Sequence, residues 1–187
     1  MDFELEIDPA LAAAVLEIEK HQAGTGWDQP ARLYALVDTA DLVAHEPALA
    51  AMLGLDEPRE RGSLTPIEQE ELSADQELEE LLPTISWPAS VVGCAAVVER
   101  LVLPPAADGQ IPDDPAEAAE FAREHPDRQE VRIVAGVTRH EASYCAVRLR
   151  AHDDDASVMG GAELVPSLLT LLRATLDDES EESEETP

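Results

Sequence analysis

Four sets of residues in this chain have the right types to do chemistry. His152-Asp153-Asp154-Asp155 sets one imidazole beside three carboxylates, donors that suit a hard divalent cation and hence a metal-assisted enzyme. Consecutive residues of an extended chain point to alternate sides, however. The spacing is also not the alternation of acids, closed by a Glu, of a calcium loop. A solvated acidic turn is the plainer reading. Arg132, Arg148 and Arg150 form the second set. Guanidinium groups bind carboxylates and phosphates in bidentate fashion, so the three could form an anion site or a patch for a partner's acids. Pairing with the chain's own Asp and Glu is the competing reading, and the favoured one. Cys94 and Cys145 could be nucleophiles only in an accessible, electropositive setting. Both sit in apolar text, which points to buried inert thiols. Gly24-Thr25-Gly26 lacks the third glycine of a dinucleotide loop, and Gly160-Gly161 lacks the Lys-Ser/Thr of a phosphate loop.

The elements that must position these residues are legible from pattern. Asp8 and Pro9 open a helix as N-cap and first residue, and Leu11, Val15 and Ile18 give it an apolar face. Gly24 and Gly26 end it. Leu33 to Val37 reads as a strand, and Pro47 to Leu53 as a short helix stopped by Gly54. Thr65-Pro66-Ile67-Glu68 and Ser73-Ala74-Asp75-Gln76 both have the capping-box form, which predicts one or two short helices over 66–82. Residues 90–103 are apolar at both parities, as in a strand covered on both faces. Asp114-Pro115-Ala116-Glu117 opens another helix. Residues 131–139 and 143–151 alternate as the arms of a hairpin that turns near His140-Glu141-Ala142. A leucine-rich helix over about 162–176 follows, with Pro166 in its first turn.

Parity also sorts the candidate residues. Arg148 and Arg150 lie opposite Cys145, Val147 and Leu149, and Arg132 lies opposite Ile133 and Ala135. A register that aligns the apolar faces therefore sends all three arginines to the other side. Cys94 shares parity with Arg100 while Cys145 opposes Arg148, which argues that the two sulfurs do not face each other.

Composition bounds the function. The 187 residues hold 41 Asp+Glu against 12 Lys+Arg, a formal charge of -29. Phosphate neutralisation needs the opposite sign, so nucleic acid is not an expected partner. Anionic membranes repel such a chain, and no apolar run is long enough to span one. An acidic start is not a secretory signal, and two cysteines without a C-x-x-C pair fit a reducing cytoplasm. Aromatics are only 3%, so the core must be built from Ala, Val and Leu. Residues 177–187 hold seven acids and no base and read as a disordered tail behind a single domain over 1–176.

Several stretches carry a resemblance. They are Gly26-Trp27-Asp28-Gln29-Pro30 with Arg32-Leu33-Tyr34-Ala35-Leu36-Val37, Thr65-Pro66-Ile67-Glu68-Gln69-Glu70, Trp87-Pro88 with Gly93-Cys94-Ala95, Glu99 to Pro105, and Cys145 to Asp155. Together they resemble an uncharacterised family of small acidic hypothetical proteins from actinobacteria. The resemblance implies a cytoplasmic protein of unassigned function and carries over no site residues.

The reading is an α+β fold: a mainly antiparallel sheet of about four or five strands with helices packed mostly on one face. The element order is similar to that of secretion-chaperone-like domains. Without a G-x-S-x-G elbow or an H-E-x-x-H helix, the chain leans away from an enzyme. No cofactor is expected. The expected function is a non-enzymatic protein-binding or chaperone/adaptor-like module, with a protein partner or second copy met through the sheet's face or edge. Arg132, Arg148 and Arg150 would be the contact residues. A metal-assisted enzyme at His152–Asp155 and an acidic nucleic-acid mimic are the alternatives.

Overall fold

The computed structural model describes residues 7–55, 62–69 and 76–177. The second capping box, save Gln76, and the tail beyond Asp177 lie outside the described residues. In chain order the elements are α1 (Pro9–Ala23), β1 (Arg32–Asp38), α2 (Thr39–His45), α3 (Pro47–Met52), β2 (Leu64–Glu68), α4 (Leu78–Leu81), β3 (Val91–Val102), α5 (Pro115–Glu124), β4 (Gln129–Thr138), β5 (Ser143–Leu149), β6 (Met159–Gly161) and α6 (Pro166–Leu176). Among the described residues the fold is α+β with one antiparallel sheet of six strands, ordered β2-β1-β3-β4-β5-β6. That is more strands than the four or five expected. No helix of the described residues is long and apolar enough to cross a membrane.

Helices cover both faces of the sheet rather than mostly one. On one face, Leu11, Val15 and Ile18 of α1 pack on Tyr34, Leu36, Ala95, Val97, Val134 and Ala146. On the other, Leu168, Leu169, Leu172 and Leu176 of α6, with Leu78 and Leu82, pack on Leu33, Cys94, Val98, Ile133 and Val137. Burying each such Leu, Val or Ile stabilises the fold by about 1.5–3 kcal/mol. The centre of the sheet is paved with Ala95, Ala96, Ala135 and Ala146, all fully buried. These short side chains let both helices approach closely in a core almost without rings. At Gly136 the approach is closest, since a Cβ there would sit 2.7 Å from Cγ2 of Val15.

Two expectations are corrected. Thr65-Pro66-Ile67-Glu68 opens no helix; it is edge strand β2. The Thr65 hydroxyl that would have capped a helix is hydrogen-bonded instead to Thr39 Oγ1 at 2.8 Å, and Glu68 pairs with Arg32. Gln69 N–H donates to Leu33 O at 2.8 Å, so by alternation the main chain of Pro66 faces outward. Its missing N–H costs no ladder bond and blunts that edge. The opposite edge, β6, is only three residues long, so neither edge offers a long template for strand addition. The second correction concerns the thiols. Cys94 and Cys145 line the same α6-covered face. Parity with an arginine misled, because Arg100 marks that same face at its exposed rim, where it pairs with Glu79.

Candidate functional site

At one end of the α1-covered face the strand register sets Arg132 of β4 directly beside Arg148 of β5. Like charges opposite each other repel, and these two side chains are only 1% and 2% exposed. Carboxylates delivered from three directions make the arrangement tenable. Glu19, on the last turns of α1, accepts from Arg148 Nε and, at 3.1 Å, from Nη2. Asp153 takes Nη1 at 3.1 Å and Asp155 takes Nη2 at 2.7 Å. Arg132 Nη2 donates to Glu99 at 3.1 Å and to the carbonyl of Gly26. Arg150 is held by both oxygens of Asp28, at 2.9 and 3.0 Å, and by Glu130 at 2.8 Å.

The loop between α1 and β1 is locked into this network. The Trp27 ring stacks on the guanidinium of Arg132 at 4.5 Å and of Arg150 at 5.6 Å, a cation–π geometry. Its indole N–H donates to Asp153 at 2.9 Å, and Glu99 accepts the N–H of Asp28 at 2.9 Å. The Trp27 indole, and next Arg148, hold the Asp153 carboxyl below its usual range. Arg150 does the same to Asp28. Hydrogen bonding to Glu19, and secondarily to Asp155, raises the Arg148 pKa further.

The structure thus brings the three sequence-predicted arginines together. Six carboxylates (Glu19, Asp28, Glu99, Glu130, Asp153, Asp155) stand against three cations, while Nε and Nη1 of Arg132 are buried without a hydrogen-bond partner. Chemically the cluster is a latch that fastens a loop and a helix end to the sheet. The His152–Asp155 turn belongs to it. Asp153 and Asp155 face Arg148, and Asp154 accepts from Ser157 Oγ at 2.8 Å. Among the described residues no group of His, Cys, Asp and Glu is arranged to hold a metal ion. Burial pushes the Cys94 thiol up to about 11 and raises Cys145 as well, the setting of an inert sulfur.

A different site lies at the other end of α1. A cavity of about 660 Å³ opens between the N-terminus of α1, the end of β1, the start of β2 and the turn after β4. The β1–β3 register slips there: Leu36 pairs with Gly93 but Val37 with Val91. The skipped residue, Val92, lines the cavity. Pro9, Ala13 and Leu64 complete its apolar wall, and Asp8, Asp38 and His140 bring polar side chains to it. The Oδ1 atoms of Asp8 and Asp38 are committed as N-caps, to Ala10 and Leu11 at 2.9 and 3.1 Å and to Asp41 at 3.1 Å. Two further lining residues, Ser63 and Thr138, hold hydroxyl oxygens that are buried and have no hydrogen-bond partner. Sequence reasoning missed this site. Thr138 ends a strand like any polar terminal residue, and nothing local announces that its hydroxyl is left unpaired.

A second concavity, about 640 Å³, lies between α1 and β2, with Ile18, Leu53, Tyr34 and Pro66 in its lining. Tyr34 is fixed there by Gln22 Nε2 at 2.7 Å, and burial raises its pKa.

Residues 11–177 match the protein family described as PPA1309-like protein. No curated protein matches the chain, and no solved structure does.

Proposed function

The chain belongs to the PPA1309-like protein family, and on its geometry we propose that it is a non-enzymatic binding protein whose receptor site is the cavity at the N-terminal end of α1. One observation carries this reading: Ser63 and Thr138, both in the lining of that cavity, each hold a buried hydroxyl without a hydrogen-bond partner. Buried polar groups are paired in the great majority of cases, and an exception calls for an explanation. A ligand's polar group supplies one. The volume falls within the usual range for small-molecule sites, which combine apolar walls with a few convergent polar groups. Free buried thiols fit work in a reducing cytoplasm, and the Ala- and Arg-rich, Lys-poor composition fits an actinobacterial source.

Thr138→Val provides the test. Valine keeps the shape and removes the orphan hydroxyl, so without ligand the variant should be more stable by about 1 kcal/mol, a rise of about 2–4 °C in Tm. A lower Tm in thermal unfolding would assign the hydroxyl a structural role and remove the argument for the site.

A second reading, a protein partner, rests on the concavity between α1 and β2. Beside it Leu53 is 43% exposed and Met52 is 84% exposed. A charge of -29 opposes self-association and favours a basic partner. An amphipathic Leu-Lys peptide should bind the wild-type chain, and Leu53→Asp should weaken that binding at least tenfold in a fluorescence titration. Equal affinity for both chains would remove this concavity as the docking surface.

A further inference from the structure

We propose that helix α3 and the concavity between α1 and β2 form one docking surface, and that its occupant is an amphipathic helix of a partner protein, apolar on the contact side and basic at its rim. The inference rests on the reading of that concavity as a protein-docking surface, and it adds a second wall and the form of the partner. The sequence of α3, Pro47-Ala48-Leu49-Ala50-Ala51-Met52, holds no polar side chain. A helix that is apolar all round is ordinarily buried. In α3 only Ala50 is buried and Leu49 half-buried, while Pro47, Ala48, Ala51 and Met52 are exposed. The inner side has its partners: Ala50 joins Leu42 and Leu55 in a small cluster on which Leu49 and Ile67 pack. The outer side ends at Met52, 84% exposed, and the chain continues into Leu53, 43% exposed. Leu53 and Ile67 line the concavity together with Ile18, Tyr34 and Pro66, so the outer side of α3 and the concavity are continuous. Single exposed hydrophobic residues need no explanation, but a contiguous apolar patch with a polar rim marks an interaction site.

Charge and backbone select the occupant. Residues 39–55 hold two acids, Asp41 and Glu46, and no Lys or Arg, and both acids are exposed. Glu17 and Glu68 add carboxylates at the concavity, where Lys20 opposes them. Glu68 is paired with Arg32, which leaves Asp41, Glu46 and Glu17 against Lys20. A partner that carries Lys or Arg around an apolar face complements this rim, and the field of a chain at -29 steers it inward. A second copy brings the same charge and is repelled. Strand addition is disfavoured at the adjacent edge, because Pro66 stands in β2 and blunts it. A helix needs no such edge, since it docks in a groove through its side chains. Met52 suits that contact, because its unbranched thioether adapts its shape to what it meets.

The test follows amide chemical shifts of the full chain as an amphipathic Leu-Lys peptide is added, beside a scrambled peptide of the same composition and a Leu-Glu analogue. The Leu-Lys peptide should shift Ala48, Met52, Leu53 and Ile67 saturably, and the other two should bind about tenfold more weakly. The Ala48→Gln/Met52→Gln double variant sets two neutral polar groups one turn apart on the outer side of α3. Both positions are exposed, so Tm should not change, yet the affinity for the Leu-Lys peptide should fall about tenfold. If the peptide shifts Leu53 and Ile67 while the double variant binds as tightly as wild type, the concavity docks a helix without α3 and this inference is overturned. If neither the concavity nor α3 shifts, the docking reading falls as well. Equal binding of the scrambled peptide would assign the affinity to bulk charge, and equal binding of the Leu-Glu analogue would remove the basic rim; either overturns the proposal. Phosphatidylcholine vesicles should leave these residues unshifted, and saturable shifts with vesicles but not with the peptide would identify a lipid surface instead.

Discussion

Arg148→Met should destabilise the fold by about 3–5 kcal/mol, the usual cost of stranding one partner of a buried ion pair. The cost arises at Glu19. This side chain is 4% exposed and receives two hydrogen bonds from Arg148, so without the guanidinium its charge stays desolvated and unpaired. Asp153 and Asp155 contribute little, because at 43% and 75% exposure they return to water. Arg148→Met/Glu19→Leu should then recover most of the loss, since well-packed apolar residues replace a buried pair at little cost. Urea denaturation of the four chains checks the cycle. A single Arg148→Met loss below about 1 kcal/mol, as for surface pairs, would show that the latch does not support the fold.

The second large effect is expected at Gly93. A Cβ there would collide with the carbonyl oxygen of Val137 on the neighbouring strand. Backbone cannot swing aside as a side-chain end does, so Gly93→Ala should cost about 3 kcal/mol, the upper end for overpacking. Gly136→Ala is the informative comparison. Its Cβ would meet the side-chain ends of Val15 and Leu11 at 2.7 and 3.1 Å, which can turn away, so about 1–2 kcal/mol is expected. Equal losses in urea unfolding would contradict this distinction between rigid and yielding neighbours.

What could be read in advance was whatever a local pattern encodes. The two-parity apolar run at 90–103 announced a strand covered on both faces, and β3 (Val91–Val102) is that strand. Asp8-Pro9 and Asp114-Pro115 announced helix starts, and both aspartates cap as expected. Legibility failed where a distant partner decides. Thr65-Pro66-Ile67-Glu68 satisfies a capping box and a strand equally, and β1 settles the choice by supplying Thr39 and Arg32 as partners. The Gly160-Gly161 pair became strand β6, against Ala146 and Cys145; glycine is depleted in strands, so no propensity marked it.

The candidate sites divide in the same way. Parity placed Arg132, Arg148 and Arg150 together, and the structure does so. Parity could not say that Glu19 and Trp27, more than 100 positions away in sequence, would close over them. The cavity was less legible still. It depends on a one-residue slip between β1 and β3 and on two hydroxyls that lack partners, neither of which has a sequence signature.

The docking of α1 on β4 and β5 has a consequence for the order in which the molecule can assemble. Leu11, Val15 and Ile18 leave the ribosome before the surface that receives them is complete, since Val134, Gly136 and Ala146 are made more than 100 residues later. At synthesis rates of about 5–20 residues per second, the apolar stripe waits on the order of ten seconds for its seat. The β4–β5 hairpin closes over the short turn 139–142 and pays the smaller entropic penalty, so it is the natural nucleus. Helix α1 is thereby made before these strands and packed after them. The acidic residues Glu17 and Glu19, which flank its apolar side chains, keep that stripe soluble in the interval.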